Sequence, residues 1–103
     1  MNASWNPSWI RIAAVQATPK GTVDTRIATG YSHSDCYEYF RCAWDWYLQA
    51  QQDKYEVVEG YMLNNNTFIS RDDALELVHC TGQLKPEYRN TDRLCSYMLN
   101  YEV

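Results

Sequence analysis

The chain has 103 residues, which fits one domain with one modest core. Its formal net charge of −4 argues against binding to nucleic-acid polymers, which needs a basic surface. No apolar run approaches the roughly 18 residues that span a bilayer, so no membrane partner is expected.

Residues 1–8, MNASWNPS, are polar and broken by Pro7, and they predict a flexible arm. The opening stretch lacks a basic region followed by a long apolar one, so no secretory leader is expected. WIRIAAVQ (9–16) is rich in β-formers and predicts a strand. ATPKG (17–21) is turn chemistry: Pro19 presets φ and Gly21 permits positive φ. TVDTRIAT (22–29) alternates Val23, Thr25 and Ile27 against Asp24 and Arg26, the pattern of a half-buried strand. These segments together predict a β-hairpin.

The period changes in GYSHSDCYEYFRCAWDWYLQAQQ (30–52). Gly30 ends the strand, Ser32 or Ser34 can cap a helix, and Asp35 suits the first turn. Tyr37, Phe40, Trp44 and Tyr47 or Leu48 then recur every three or four residues, predicting a helix to about residue 51. Tyr39 and Trp46 lie off that stripe and are candidates for an interface or a ligand platform. KYEVVEGYML (54–63) predicts another strand, with Gly60 marking a bulge or a close backbone approach. NNN (64–66) is a turn, and TFI can return briefly as a strand. Ser70 and Asp73 form a shortened capping box. Ala74, Leu75, Leu77 and Val78 form the apolar face of that second helix, and Gly82 stops it. Residues 85–93 are a polar connection, and LCSYMLNY (94–101) fits either a strand or a helical turn. The expected fold is a small single α+β domain: an N-terminal β-hairpin, two helices packed on an antiparallel sheet, in the order ββαβ(β)α.

The four cysteines, Cys36, Cys42, Cys80 and Cys95, form no CxxC pair and no zinc spacing, so free thiols are expected. His33 and His79 belong to no metal-ligating pattern, and no P-loop or GxGxxG is present. No cofactor is expected, and enzymatic activity is the minority reading. The nine tyrosines, four tryptophans and two phenylalanines suit a ring-built core, and such residues also stack on flat ligands. Arg71 stands out in the first turn of the second helix, where the macrodipole disfavours a cation and the free N–H groups favour an anion. It either pairs with Asp72, Asp73 or Glu76, or completes a small phosphate site.

Four blocks in chain order carry a family resemblance: HSDC (33–36), EGYML (59–63), FISRDDA (68–74) with GQL (82–84), and LCSYML (94–99). Together they resemble the small phage proteins of the first Thoeris anti-defence family, over residues 9–99. The resemblance implies a sponge, not an enzyme, acting in the cytoplasm of the infected bacterial host. Such proteins hold cyclic ADP-ribose-type signals made by host TIR proteins, and some hold cyclic oligonucleotides. It further implies a symmetric homo-oligomer with pockets shared between subunits. In the family's Arg-Phe-x-x-Arg block, whose arginines hold phosphate, the second arginine matches Arg71 and the first falls on Thr67. That departure removes a cation, for which Arg89 or Arg93 are the candidate replacements. Phe40 is the candidate stacking ring, although it also lies on the core stripe. His33 belongs to the first block, and Asn65 and Asn66 offer amides for a ribose or base edge. The family's acid pair in the last block is replaced by Tyr97 and Met98. A competing class is a small acidic phage inhibitor that binds a host defence protein directly, as an anti-CRISPR does, through acids such as Asp45, Asp53 or Glu56. A third is an enzyme that degrades the same signal.

Overall fold

A computed structural model describes residues 8–101. The predicted arm, residues 1–8, lies outside the described residues apart from Ser8. The elements are β1 (Ile10–Pro19), β2 (Arg26–Gly30), α1 (His33–Trp44), β3 (Tyr55–Leu63), β4 (Phe68–Ser70) and α2 (Arg71–Thr81). They form the α+β order expected, with the bracketed strand present as β4. The antiparallel sheet has four strands in the order β2-β1-β3-β4.

Register decides which face is buried, because side chains alternate along a strand. Ala13, Val15 and Ala17 lie opposite Tyr61, Glu59 and Val57, and Val15 also lies opposite Ala28. This face meets Cys36 and Phe40 of α1 and Ala74 and Val78 of α2 in one core cluster. Tyr61 and Phe40 are the largest fully buried side chains. Each contributes about 1.5–3 kcal/mol or more by removing its ring from water.

The second strand is shorter than predicted, and its faces are exchanged. Val23 is 98% exposed and Ile27 is 38% exposed, while Ala28 is buried. Local hydrogen bonds withdraw residues 20–25 from the ladder. The Thr22 hydroxyl donates to the Pro19 carbonyl at 2.8 Å, Thr25 N–H donates to the Val23 carbonyl at 3.0 Å, and the Thr18 and Thr25 hydroxyls meet at 2.7 Å. The first helix also stops earlier than predicted, at Trp44. Asp45 adopts left-handed backbone at φ 56°, and Trp46 N–H donates back to the Phe40 carbonyl at 3.1 Å. Leu48 still reaches the core, from the following loop, whereas Tyr47 is exposed.

Gly60 marks a close backbone approach. A Cβ there would lie 2.0 Å from the Ile69 carbonyl oxygen and 2.8 Å from the Phe68 ring. The bulge lies instead on β1, where the register shifts between Ile10 and Ile12. Gln83 repairs the ladder beside it. Fully buried, its Oε1 accepts from Ile10 N–H at 2.8 Å and its Nε2 donates to the Ile10 carbonyl at 2.7 Å, so a side-chain amide replaces a strand neighbour. The last segment combines both predicted alternatives: a short 3-10 turn at Ser96–Met98 and a single bridge between Leu84 and Leu99. No described helix is long and apolar enough to cross a membrane.

Candidate functional site

The site forms where both helices begin. β2 ends at Gly30, and a Cβ there would lie 2.7 Å from the Asp35 side chain, so glycine lets the first turn of α1 fold closely over the strand end. The Ser32 side chain caps that turn by accepting from Asp35 N–H at 3.3 Å. His33 is thereby turned onto the sheet, with Nε2 2.8 Å from the Gly60 carbonyl and its ring edge-on to Tyr61 at 5.1 Å. Burial lowers the His33 pKa from 6.5, with a smaller contribution from the Arg71 charge, against the Gly60 hydrogen bond, which raises it. A carbonyl only accepts, so Nε2 carries the proton and the neutral ring keeps Nδ1 as an acceptor.

The start of α2 repeats the arrangement. Ser70 accepts from Asp73 N–H at 3.3 Å, and Arg71 is the first helical residue. Its guanidinium does not pair with the acids of its own helix. Nη1 reaches the Glu59 carboxylate on β3, Nε donates to the Leu94 carbonyl at 2.6 Å, and Nη2 lies 3.8 Å from Cys95 Sγ. Glu59 answers the electrostatic objection to a cation at a helix N-terminus. The same carboxylate accepts from the Tyr37 hydroxyl at 2.7 Å and meets Arg93 Nη2 at 3.5 Å. Burial alone would raise the Glu59 pKa, but the Tyr37 hydrogen bond and the Arg71, His33 and Arg93 charges together hold it below its ordinary value of 4.5. Burial and the Glu59 hydrogen bond push the Tyr37 hydroxyl upward.

Tyr61 also donates to the Leu94 carbonyl, at 3.0 Å, so that one acceptor fixes the C-terminal segment to β3 and α2. Between this segment and the start of α1 lies a cleft of about 420 Å³ that contains His33, Arg71 and Cys95. Tyr31, Tyr97 and Tyr101 also line it, with 90%, 62% and 43% of their surfaces exposed. An open hollow of about 520 Å³ continues past Arg71 to Arg93, with Asp72 and Asp92 on its walls. A separate hollow of about 440 Å³, lined by Gln49 and Gln52 among others, has Glu59 as its charged wall residue and disfavours anions.

Of the predicted site residues, His33 and Arg71 share the cleft, and Arg93 approaches it through Glu59. The others lie elsewhere. Phe40 is fully buried and stacks on Trp46 at 5.7 Å and 12°, so it has no free face for a base. Asn65, Asn66 and Thr67 form the β3–β4 turn, away from the Arg71 cleft. The Asn65 side chain accepts from Thr67 N–H at 3.1 Å, and the Asn66 side chain accepts from Arg11 Nη2 at 3.3 Å. Arg89 is exposed at the end of a 3-10 turn, Pro86–Tyr88, and none of the ion pairs among the described residues brings it to Glu59. Trp46, predicted as a possible platform, is half-buried under the Arg26 guanidinium at 4.6 Å. The sequence reading missed Glu59, Tyr31 and Tyr101. One signal was present for Tyr31. It precedes the cap at the position where an apolar residue normally staples onto the fourth helical residue, here Cys36. Tyr31 stays exposed instead.

The four cysteines are unpaired, and burial raises the Cys36 thiol to about 11. Among the described residues no group of three or more His, Cys, Asp or Glu side chains is arranged to hold a metal ion. The fold and site thus define a small α+β domain with a tyrosine-lined cleft over a Glu59-centred ion cluster. No family model, curated protein or solved structure matches this chain.

Proposed function

We propose that the protein is a phage anti-defence protein that sequesters a cyclic ADP-ribose-type or cyclic nucleotide immune signal without degrading it, in the cytoplasm of the infected bacterial host. The observation that carries this reading is the cleft itself: exposed tyrosine rings beside an arginine and a capped helix start. A nucleotide signal presents flat bases and phosphates. Tyrosine faces suit the bases, and a guanidinium suits the phosphates. Arg71 engages the protein through Nε, Nη1 and, at Cys95 Sγ, Nη2; a guanidinium has five N–H donors, so one on each terminal nitrogen remains for an anion. Two guanidinium groups share the one Glu59 carboxylate, and Asp72 and Asp92 on the walls of the adjoining hollow leave the Arg71 side facing the tyrosines as the place for an anion. Sequestration needs tight holding and no proton transfer, and the Arg and Tyr side chains of the cleft suit the holding. The cleft is open on one side, and closure by a second copy in a homo-oligomer completes the reading.

Thermal melting against cyclic ADP-ribose isomers and cyclic di- and trinucleotides tests this reading. One ligand is expected to raise the melting temperature and to be recovered chemically unchanged after heat release. Arg71→Ala is expected to abolish the shift. Because Arg71 also anchors Leu94, Tyr31→Ala supplies a second variant at an exposed position. No shift across the panel, or an altered ligand, overturns the reading.

A further inference from the structure

A second hollow opens onto the same tyrosines from the β1 bulge. It is about 310 Å³ in volume and is bounded by Arg11, Ile12, Tyr31 and Tyr101. Tyr31 and Tyr101 also line the Arg71 cleft, so the two spaces share a wall. The bulge explains how Arg11 comes to be there. The register shift between Ile10 and Ile12 leaves Arg11 without a ladder partner, and its side chain is exposed. Arg11 Nη2 donates to the neutral Asn66 Oδ1 at 3.3 Å, and among the described residues no carboxylate forms an ion pair with it. A guanidinium held by a neutral amide keeps its full charge for a ligand.

The two arginines are well separated. Ile10 and Ile12 lie opposite Leu63 and Met62, whereas Ser70, next to Arg71, lies opposite Gly60. Two to three residues along β3 correspond to about 7–10 Å, and β1 and β4 flank β3 on opposite sides, which adds about 9–10 Å across the sheet. The side chains also diverge, Arg11 toward Asn66 and Arg71 toward Glu59. Two phosphates that share a bridging oxygen are too close together to meet both cations. Phosphates attached at different positions of a nucleoside, or across a dinucleotide ring, are far enough apart.

We propose that the two hollows form one groove for a nucleotide with two non-adjacent phosphates, one at Arg71 and the other at Arg11, with a base against Tyr31 or Tyr101. This rests on the nucleotide-binding reading above and narrows it.

Calorimetric titration of the full chain at low salt tests the proposal with four probes: AMP, cyclic ADP-ribose, adenosine 3′,5′-bisphosphate and cyclic di-AMP. The first has one phosphate, the second two adjacent ones, and the last two have separated ones. The wild type is expected to bind at least one separated-phosphate probe roughly tenfold or more tighter than AMP, the gain from a charged hydrogen-bonded contact. Arg11→Ala is expected to erase that preference and leave AMP within about twofold, with Arg11→Lys partly restoring it. The tighter of the last two probes distinguishes a linear bisphosphate from a cyclic dinucleotide. If cyclic ADP-ribose binds as tightly as either and Arg11→Ala changes nothing, this inference fails and the sequestration reading stands. If no probe binds the wild type, this inference fails, and the sequestration reading fails with it only when the wider melting panel also gives no shift.

Discussion

Aromatic side chains gather at both ends of α1, and the two groups differ in what covers their faces. At the C-terminal end, Phe40 stacks on Trp46 at 5.7 Å, Trp44 tilts against both, and Tyr55 lies 5.3 Å from Trp46. Arg26 closes this group from above, its guanidinium 5.0 Å from the Trp44 ring and 4.6 Å from the Trp46 ring. At the N-terminal end Tyr31 is 90% exposed, and Tyr97 has an edge contact with Tyr88 yet remains 62% exposed. The rings at the two ends of α1 are therefore two populations. Rings that cover one another stabilise the fold, and rings left uncovered beside a cation offer area to a ligand.

The largest expected effect lies in the covered group. Phe40→Ala should cost about 3–5 kcal/mol of stability by leaving a cavity under Trp46, read as a lower urea midpoint. A loss below about 1 kcal/mol would mean that Phe40 is not the centre of the core. The uncovered group should respond in the opposite way. Tyr31→Ala should change stability by no more than about 0.5 kcal/mol, yet weaken binding of the proposed nucleotide ligand by about 1–3 kcal/mol, the usual worth of a stacked base. Equal losses in both assays would erase the distinction between the groups. A smaller effect is expected at the lid of the covered group. Arg26→Gln removes a half-exposed cation–π contact and should cost about 0.5–1 kcal/mol. Its Asp24 ion pair, at 3.0 Å on the surface, adds little. Equilibrium unfolding of Asp24→Asn beside Arg26→Gln separates the two contributions.

Much of the fold was legible because it follows local rules. Ser70 and Gly82 cap α2 as their residue types suggest, and Phe40 falls on the apolar stripe of α1. The failures came where one local rule competed with another. In residues 22–25 the alternation of a strand lost to threonine hydrogen bonds that close a loop. In residues 45–51 the continuing apolar stripe lost to Asp45 in left-handed geometry. The site was less legible because its partners are distant in sequence. Glu59 reaches Arg71 across 12 positions and Arg93 across 34, and the Tyr31–Tyr101 wall joins two distant parts of the chain. Composition could count the tyrosines but not distinguish a covered ring from an open one.

The smallest expected effect is a pH dependence confined to the cleft end. His33 has its pKa lowered from 6.5, chiefly by burial, so the folded state resists a proton that the unfolded chain accepts. Stability should therefore begin to fall as pH drops below about 6.5, and this contribution levels off once pH passes below the folded-state value. Glu59 gives a second, lower step. Its folded pKa lies below 4.5, so its contribution is present above that value and is lost as pH falls through the folded one. Melting temperatures across pH should show both steps in the wild type, with His33→Gln lacking the upper and Glu59→Gln the lower. Ligand binding should move the other way. Protonating either group adds positive charge beside Arg71, so the melting shift produced by an anionic nucleotide should grow as the unliganded protein becomes less stable. A shift that shrinks on acidification would place the phosphate away from His33 and Glu59, and would detach the tyrosine-lined cleft from the ion cluster beneath it.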